Sequence, residues 1–307
     1  MKYVGYKLNF KTAVHIGKTS LEDAEISINA DTLFSALCHE AVVSGDIDSL
    51  VDAAISGKLR FSDLLPYHDN NYYIPKPFIY VESQESSSTV KKKAKKLDFI
   101  PADKVTEYLS GELDIEKETA LLGEMGEREI ITRAAIYEEK DTEPYSVGTF
   151  RFADGWGLYV IVGYDDEEYL YLVMDLLISL GFSGIGGKRT SGLGKFELMN
   201  AKLPKSMIER IRENDSGGFY ETLSAGMCSD EEMEDVCDGA RYALLKRGGF
   251  VSSYTYSTGM VKKRDMYVFK SGSVFRKTFE GVLKDVSNGG GHPVYRYAKP
   301  IFLEVRK

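Results

Sequence analysis

The densest concentration of chemically suggestive residues is the run Gly181-Phe182-Ser183-Gly184-Ile185-Gly186-Gly187-Lys188-Arg189-Thr190-Ser191-Gly192-Leu193-Gly194-Lys195-Phe196, with six glycines, a Lys-Arg pair and hydroxyls at Thr190 and Ser191. Such a run suits an anion. Glycine lets a backbone come close to a ligand, consecutive N–H groups can form an anion-binding concavity, and the two cations add charge. Two nucleotide-binding motifs can be tested against it. A Walker A loop needs glycine at 182 and Ser or Thr at 189, where Phe182 and Arg189 stand; a dinucleotide fingerprint starting at Gly184 needs glycine at 189. The loop also follows a helical pattern and precedes a strand-like one, the reverse of both. Both motifs fail, and the plainer alternative is a flexible connector.

Other side chains could act as catalysts. The four histidines are His15, His39, His68 and His292. His15 sits at a strand end before Gly17, a candidate phosphate or base contact, and as a general base it needs a partner within roughly 3 Å. No HxxxH or CxxC pairing occurs, so metal ligation has little support and no cofactor is expected. Asp31 directly precedes an apolar-faced helical pattern and reads as its N-cap. Basic residues cluster at Lys91–Lys96, Lys188-Arg189 and Lys262-Lys263-Arg264, and acidic ones at 107–143 and 209–238. The net charge of −8 argues against nucleic acid only weakly, since a binding groove is local.

The elements that must position these residues can be read from periodicity. At 307 residues, 43% hydrophobic and 28% charged, the chain has material for about two domains. There is no apolar run long enough for a membrane span, no signal-peptide pattern at the start, and three unpaired-looking cysteines, so a cytoplasmic, reduced protein is expected. A strand is expected over 3–16, then a helix from Asp31 bearing Leu33, Phe34, Leu37 and Ala41 and ending before Gly45. A mobile loop is expected over 84–96, a short helix over 101–109, and a hairpin over about 129–150 with a polar tip. A strand at 158–162 leads to the clearest helix, in which Tyr169, Leu172, Val173, Leu176, Leu177 and Leu180 recur at helical spacing up to Gly181. The order matches a βαββαβ, ferredoxin-like (RRM-like) unit over 1–200, with the glycine-rich loop at 181–194. The remainder, 201–307, reads as an acidic helix near 230–245 and strands at 266–269, 273–277 and 301–305, a degenerate domain of the same type.

At the glycine-rich loop the chain resembles the RAMP superfamily, in which such a loop follows the second helix of a ferredoxin-like fold. Three further stretches carry the likeness: His15-Ile16-Gly17 with 28–37; Arg133-Ala134-Ala135 with the hairpin; and Ser271–Phe275 with Gly289–Tyr297. Within that superfamily it is similar to the fourth, crRNA 5′-end-capping subunits of type III-A CRISPR Csm interference complexes. The resemblance implies an α+β protein with two ferredoxin-like domains facing across a cleft and a β-hairpin thumb in the first. It also implies a role in antiviral defence: holding the 5′ repeat-derived tag of a crRNA beside a large polymerase-like subunit and an adjacent RAMP backbone subunit.

On that basis the expected RNA contacts are His15, Gly17, Asp31 and Thr32 at the first helix, and Arg133 at the hairpin base. They continue with Gly184, Gly186, Gly187, Lys188, Arg189, Thr190, Ser191 and Gly192 in the loop, and Ser252, Ser253, Tyr254, Lys262, Lys263, Arg264, His292, Tyr295 and Arg296 in the second domain. Tyrosine and arginine planes suit stacking on splayed bases. Each tyrosine, Tyr256 included, could equally be core. Non-catalytic RNA binding is the favoured function, and metal-independent RAMP-type processing of crRNA is the alternative.

Overall fold

The computed structural model describes residues 1–17, 20–81, 92, 94–135, 143–212, 218–253 and 255–306. The opening alternation forms β1 (Lys2–Phe10), shorter than the expected strand, with Tyr6 and Leu8 buried. It pairs antiparallel with β8 (Trp156–Tyr164) on one side and β9 (Phe196–Ala201) on the other. On its far side β8 holds β2 (Leu59–Phe61) and β3 (Leu65–His68), and the sheet continues through β4 (Asn71–Pro75) to β5 (Phe99–Pro101). The seven-stranded sheet thus runs β5-β4-β3-β8-β1-β9, with β2 beside β3 on β8.

Every residue of β8 is buried because the sheet is covered on both faces. Leu158, Val160 and Val162 join the helix-side cluster with Leu33, Phe34 and Leu37 of α1 (Ala30–Ser44), residues of α2 (Ile47–Ile55), and Val173, Leu176 and Leu177 of α5 (Glu167–Ser183). Tyr159 and Ile161 point the other way, into a cluster with Val105 and Tyr108 of α3 (Val105–Ser110) and Ile115 of α4 (Ile115–Gly123). Side chains alternate along a strand, so a strand apolar at every position needs a core on each side. Deleting a buried leucine such as Leu177 leaves a cavity costing about 2–5 kcal/mol.

α5 runs two residues beyond the expected stop at Gly181. That glycine stays helical because a Cβ there would lie 2.6 Å from the Phe196 carbonyl oxygen, so its absence lets the helix close on β9. Glu167 and Glu168 sit in the first turn, where carboxylates complement the helix dipole. α1 is capped by Asn29, in extended conformation, and not by Asp31, which lies inside the first turn.

The hairpin pairs β6 (Gly126–Ala135) with β7 (Glu143–Phe152) in register from Gly126↔Phe152 to Ala135↔Glu143, longer at its base than expected. Its expected tip, 138–144, lies outside the described residues up to 142, and Glu143 and Pro144 belong to β7; most of the 84–96 loop also lies outside them.

Beyond β9 come α6 (Lys205–Arg212) and a three-stranded sheet, β13-β10-β16, of β10 (Phe219–Thr222), β13 (Val274–Phe275) and β16 (Phe302–Val305). Two ribbons pair β11 (Leu244–Arg247) with β12 (Met266–Phe269) and β14 (Val282–Asp285) with β15 (Tyr295–Ala298). The expected helix over 230–245 shrinks to α7 (Met233–Cys237), with Gly239 at φ 63 just after it and β11 claiming 244–247. Leu223, Ile301, Leu303 and Val305 share the cluster of Tyr159 and Ile161, and Tyr297 lies in the helix-side cluster, where its hydroxyl accepts from the Phe61 N–H at 3.0 Å. Both apolar clusters therefore cross position 200. No helix among the described residues is long and apolar enough to cross a membrane.

Candidate nucleic-acid interface

The segment 15–17, the first turn of α1, the glycine-rich loop and the β11 ribbon surround a groove of about 890 Å³. Among the described residues, eight cations line it (Lys76, Lys95, Arg189, Lys246, Arg247, Lys263, Lys270, Arg296) against four carboxylates (Glu25, Asp31, Asp63, Asp98). A chain of net charge −8 thus holds a locally positive trough, the condition under which a polyanion binds to an acidic protein.

The loop forms one wall. Its glycines serve the protein's own packing more than ligand access: a Cβ on Gly186 would lie 2.5 Å from the His15 carbonyl oxygen, and one on Gly194 1.9 Å from that of Ile185. The loop is laced to the strand end by Gly187 N–H to His15 O at 2.9 Å and Gly194 N–H to Ala13 O at 2.9 Å. Ser191 and Gly192 N–H groups close a 3₁₀ turn onto Lys188 and Arg189 carbonyls, so the expected amide cradle over 186–194 is reduced. Lys188 is left-handed (φ 58, ψ 29) and Arg189 begins the right-handed 3₁₀ turn, a pairing that converges successive N–H groups into an anion nest. The N–H groups of Lys188, Arg189 and Thr190 make no backbone hydrogen bond among the described residues. Arg189 lines the groove. Lys188 turns away to the hairpin, its Nζ 4.6 Å over the Tyr145 ring and 3.3 Å from the hydroxyl, opposite Arg133 in the register.

His15 is buried, with Nδ1 2.6 Å from the Gly148 carbonyl oxygen. A carbonyl only accepts, so Nδ1 carries the proton and the ring presents Nε2 on the groove side, next to Gly17. His39, which also lines the groove, has its pKa lowered by burial and by the charges of Arg189 and Lys263.

The opposite wall is organised by Asp31, only 3% exposed. Arg247 grips it bidentately, Nε to Oδ2 at 2.8 Å and Nη2 to Oδ1 at 2.7 Å, and donates to Thr32 Oγ1 at 3.0 Å. Arg296 Nη1 donates to the same Oδ2, and its Nη2 to Gly248 O at 3.0 Å. Burial alone would raise the Asp31 carboxyl, but Arg247 and Arg296 outweigh it and its pKa falls. Two sequence expectations change accordingly. Thr32, expected to contact RNA, returns its N–H to the Asn29 carbonyl at 2.9 Å and so does not offer it to a phosphate, and the Arg296 guanidinium is buried in an ion pair instead of lying open for a base. Behind Asp31, Asp63 accepts from Ala30 N–H at 2.8 Å and Ala225 N–H at 3.3 Å, and burial lifts its pKa to about 6.

Of the expected contacts, the groove gathers His15, Gly17, Asp31, Thr32, Gly186, Gly187, Arg189, Ser252, Lys263 and Arg296. Gly184, Thr190, Ser191 and Gly192 are in the loop but not in the lining, and Arg133 stays on the hairpin. Ser253 and His292 hydrogen-bond each other at 2.9 Å, Lys262 reaches Asp265 at 3.4 Å, and Arg264 donates to the Asp285 carbonyl at 2.9 Å. Tyr295 is half-buried on β15, Tyr256 is a core ring over which Gly290 lies, and Tyr254 falls outside the described residues. Lys76, Lys246, Arg247 and Lys270 also line the groove and were not expected from the sequence. The signal available for two of them was a Lys-Arg pair directly before Gly248-Gly249, the same composition as the loop. No group of three or more His, Cys, Asp or Glu residues suited to a metal ion occurs among the described residues.

Comparison with known proteins adds an independent line. Residues 7–197 match the family model of the RAMP superfamily, and 215–305 that of the CRISPR Csm4 C-terminal domain. A Mycobacterium tuberculosis protein named CRISPR system Cms protein Csm4 is 41% identical over 290 residues, 94% of this chain and 93% of that protein. A Streptococcus thermophilus protein of the same name is 33% identical over 314 residues, 99% of each. Among solved structures, a chain of the Csm3–Csm4 subcomplex of a type III-A CRISPR-Cas interference complex superposes with a TM-score of 0.69 at 19% identity over the whole of both chains. A chain of a Csm1–Csm4 cassette in complex with cA4 gives 0.58 at 20% identity, over 100% of this chain and 98% of that one. At such identities these two show the fold alone.

Proposed function

The chain belongs to the RAMP superfamily and, within it, to the Csm4 proteins of CRISPR Csm complexes; from that premise we propose that it is a non-catalytic, cytoplasmic RNA-binding subunit of a type III-A effector. It holds the 5′ repeat-derived tag of crRNA in the groove. Its neighbours in the assembly are the large polymerase-like subunit and an adjacent RAMP backbone subunit. The relatives whose structures carry the names of Csm1 and Csm3 alongside Csm4 support those partners.

The observation that carries the RNA assignment is the positive trough within an acidic chain. Single strands are bound through phosphates along a basic groove and through bases on planar side chains. Here the Arg189 nest supplies one wall and the arginines tied to Asp31 the other. The strand order β9-β1-β8-β3, with α1 and α5 on one face, supports a ferredoxin-like first domain over 1–200. The β6–β7 hairpin is then its thumb, and 201–307 a degenerate second domain across the cleft.

The test is to purify the full chain with its partners, extract bound nucleic acid, and separately incubate the pure chain with repeat RNA without metal. A discrete short RNA with a uniform 5′ end, and repeat RNA left intact, are expected. Cleaved repeat RNA would instead favour the processing nuclease.

A further inference from the structure

Three cations converge on the β11 side of the groove, with Asp31 among them and Asp63 behind it. Arg247 and Arg296 both bind Asp31, while Lys263 reaches the same place from a neighbouring segment, its backbone N–H fixed to Gly249 O at 2.8 Å. Lys263 Nζ has no ion-pair or hydrogen-bond partner among the described residues, and Arg296 Nε is buried without one. The lysine's pKa is lowered by burial and by the nearby Arg296 charge. Half-buried like charges repel unless something anionic joins them, and Asp31 with Asp63 behind it cannot balance three cations. The site is thus short of negative charge.

We propose that Arg247, Lys263 and Arg296 form a seat for one phosphate group, and that Asp31 is a positioning residue that holds the two guanidiniums in the geometry the seat requires. The inference rests on the RNA reading for its natural ligand, a phosphodiester of the tag, though a free phosphate species presents the same chemistry. A guanidinium fixed in advance by a bidentate carboxylate loses little freedom on binding. Asp31 thus has two opposed effects: it subtracts a charge from the trough and it orders the donors.

These effects separate experimentally in the full-length chain. Asp31→Asn makes the groove more positive, so simple charge balance predicts tighter RNA, whereas positioning predicts weaker. The expected result is a roughly tenfold loss of affinity for single-stranded repeat-tag RNA. Affinity equal to or above the parent's, with an unchanged melting temperature, would overturn the positioning role. Since Asp31→Asn could unfold the chain, Lys263→Met, which breaks no bond of the protein's own, gives the second measurement. It should weaken the RNA and lower the slope of log affinity against log salt by about 0.7. An unchanged affinity and slope in Lys263→Met would reject the seat even if the RNA reading stands. Pyrophosphate, titrated calorimetrically, separates the sources. Pyrophosphate binding that depends on Lys263, in a chain that fails to bind RNA, would keep the seat as a free-phosphate site and reject the RNA reading. Neither ligand binding would reject both.

Discussion

Arg189 and Lys188 are adjacent in the chain, but only Arg189 lines the groove, while Lys188 is taken up by the Tyr145 ring. Arg189→Ala should therefore weaken RNA by about 1.5 kcal/mol, the worth of one charge-assisted contact, and Lys188→Ala by much less. Filter binding at fixed low salt checks the order, and equal losses would contradict it. Asp63 gives a pH signature. Its folded pKa of about 6 lies above the usual 3.8, so the folded state keeps this proton longer than the unfolded chain. Stability from this group is fully present below about pH 4 and is lost as pH rises through about 6, a span of about 3 kcal/mol. Asp63→Asn cannot titrate. Its stability relative to the parent should improve by that order between pH 4 and pH 7 in urea unfolding; a constant difference would contradict the assignment. Asp31 shows why such details escape a sequence reading. Asp, directly before an apolar helical run, has the signature of a cap, and nothing local points to Arg247 and Arg296, 216 and 265 residues away.

At the scale of elements, α5 was legible because its apolar spacing is continuous and its first turn is acidic. The hairpin was legible from two strand-like runs around a polar tip. The 230–245 helix was not, because acidic composition imitates a helix while Gly239 and the pairing of Leu245 with Val268 decide otherwise. The loop stands out in the sequence, but the packing role of its glycines does not, since the contacts of Gly186 and Gly194 lie in the tertiary fold. A contrast follows between two left-handed positions. Gly192 (φ 82) has open space around its would-be Cβ, and Gly194 (φ 74) faces a backbone oxygen at 1.9 Å. Gly192→Ala should cost about 1–2 kcal/mol, the left-handed strain alone, and Gly194→Ala clearly more. Chemical unfolding of both variants measures the difference, and similar costs would contradict the packing account.

The whole molecule combines a shared interior with an uneven surface. Tyr159 and Ile161 of the first half pack with Leu303 and Val305 of the second, so the halves should unfold together. Fluorescence of Trp156, the chain's one tryptophan, and far-ultraviolet circular dichroism should then give coincident transitions; two separated ones would show independent domains. The common core was not readable from the sequence, because alternation along β8 was hidden in a continuous apolar run. Net charge hides local charge: −8 overall conceals a trough lined, among the described residues, by eight cations and four carboxylates. That trough is most directly tested by the affinity of the full-length chain for single-stranded repeat-tag RNA across a salt series, beside a variant with Arg189→Ala and Lys270→Ala on separate parts of the lining. The parent should bind with a steep negative slope of log affinity against log salt, and the variant more weakly, with the slope flattened by about 1.4. A salt-independent parent, or a variant with the parent's slope, would contradict the groove as the RNA site.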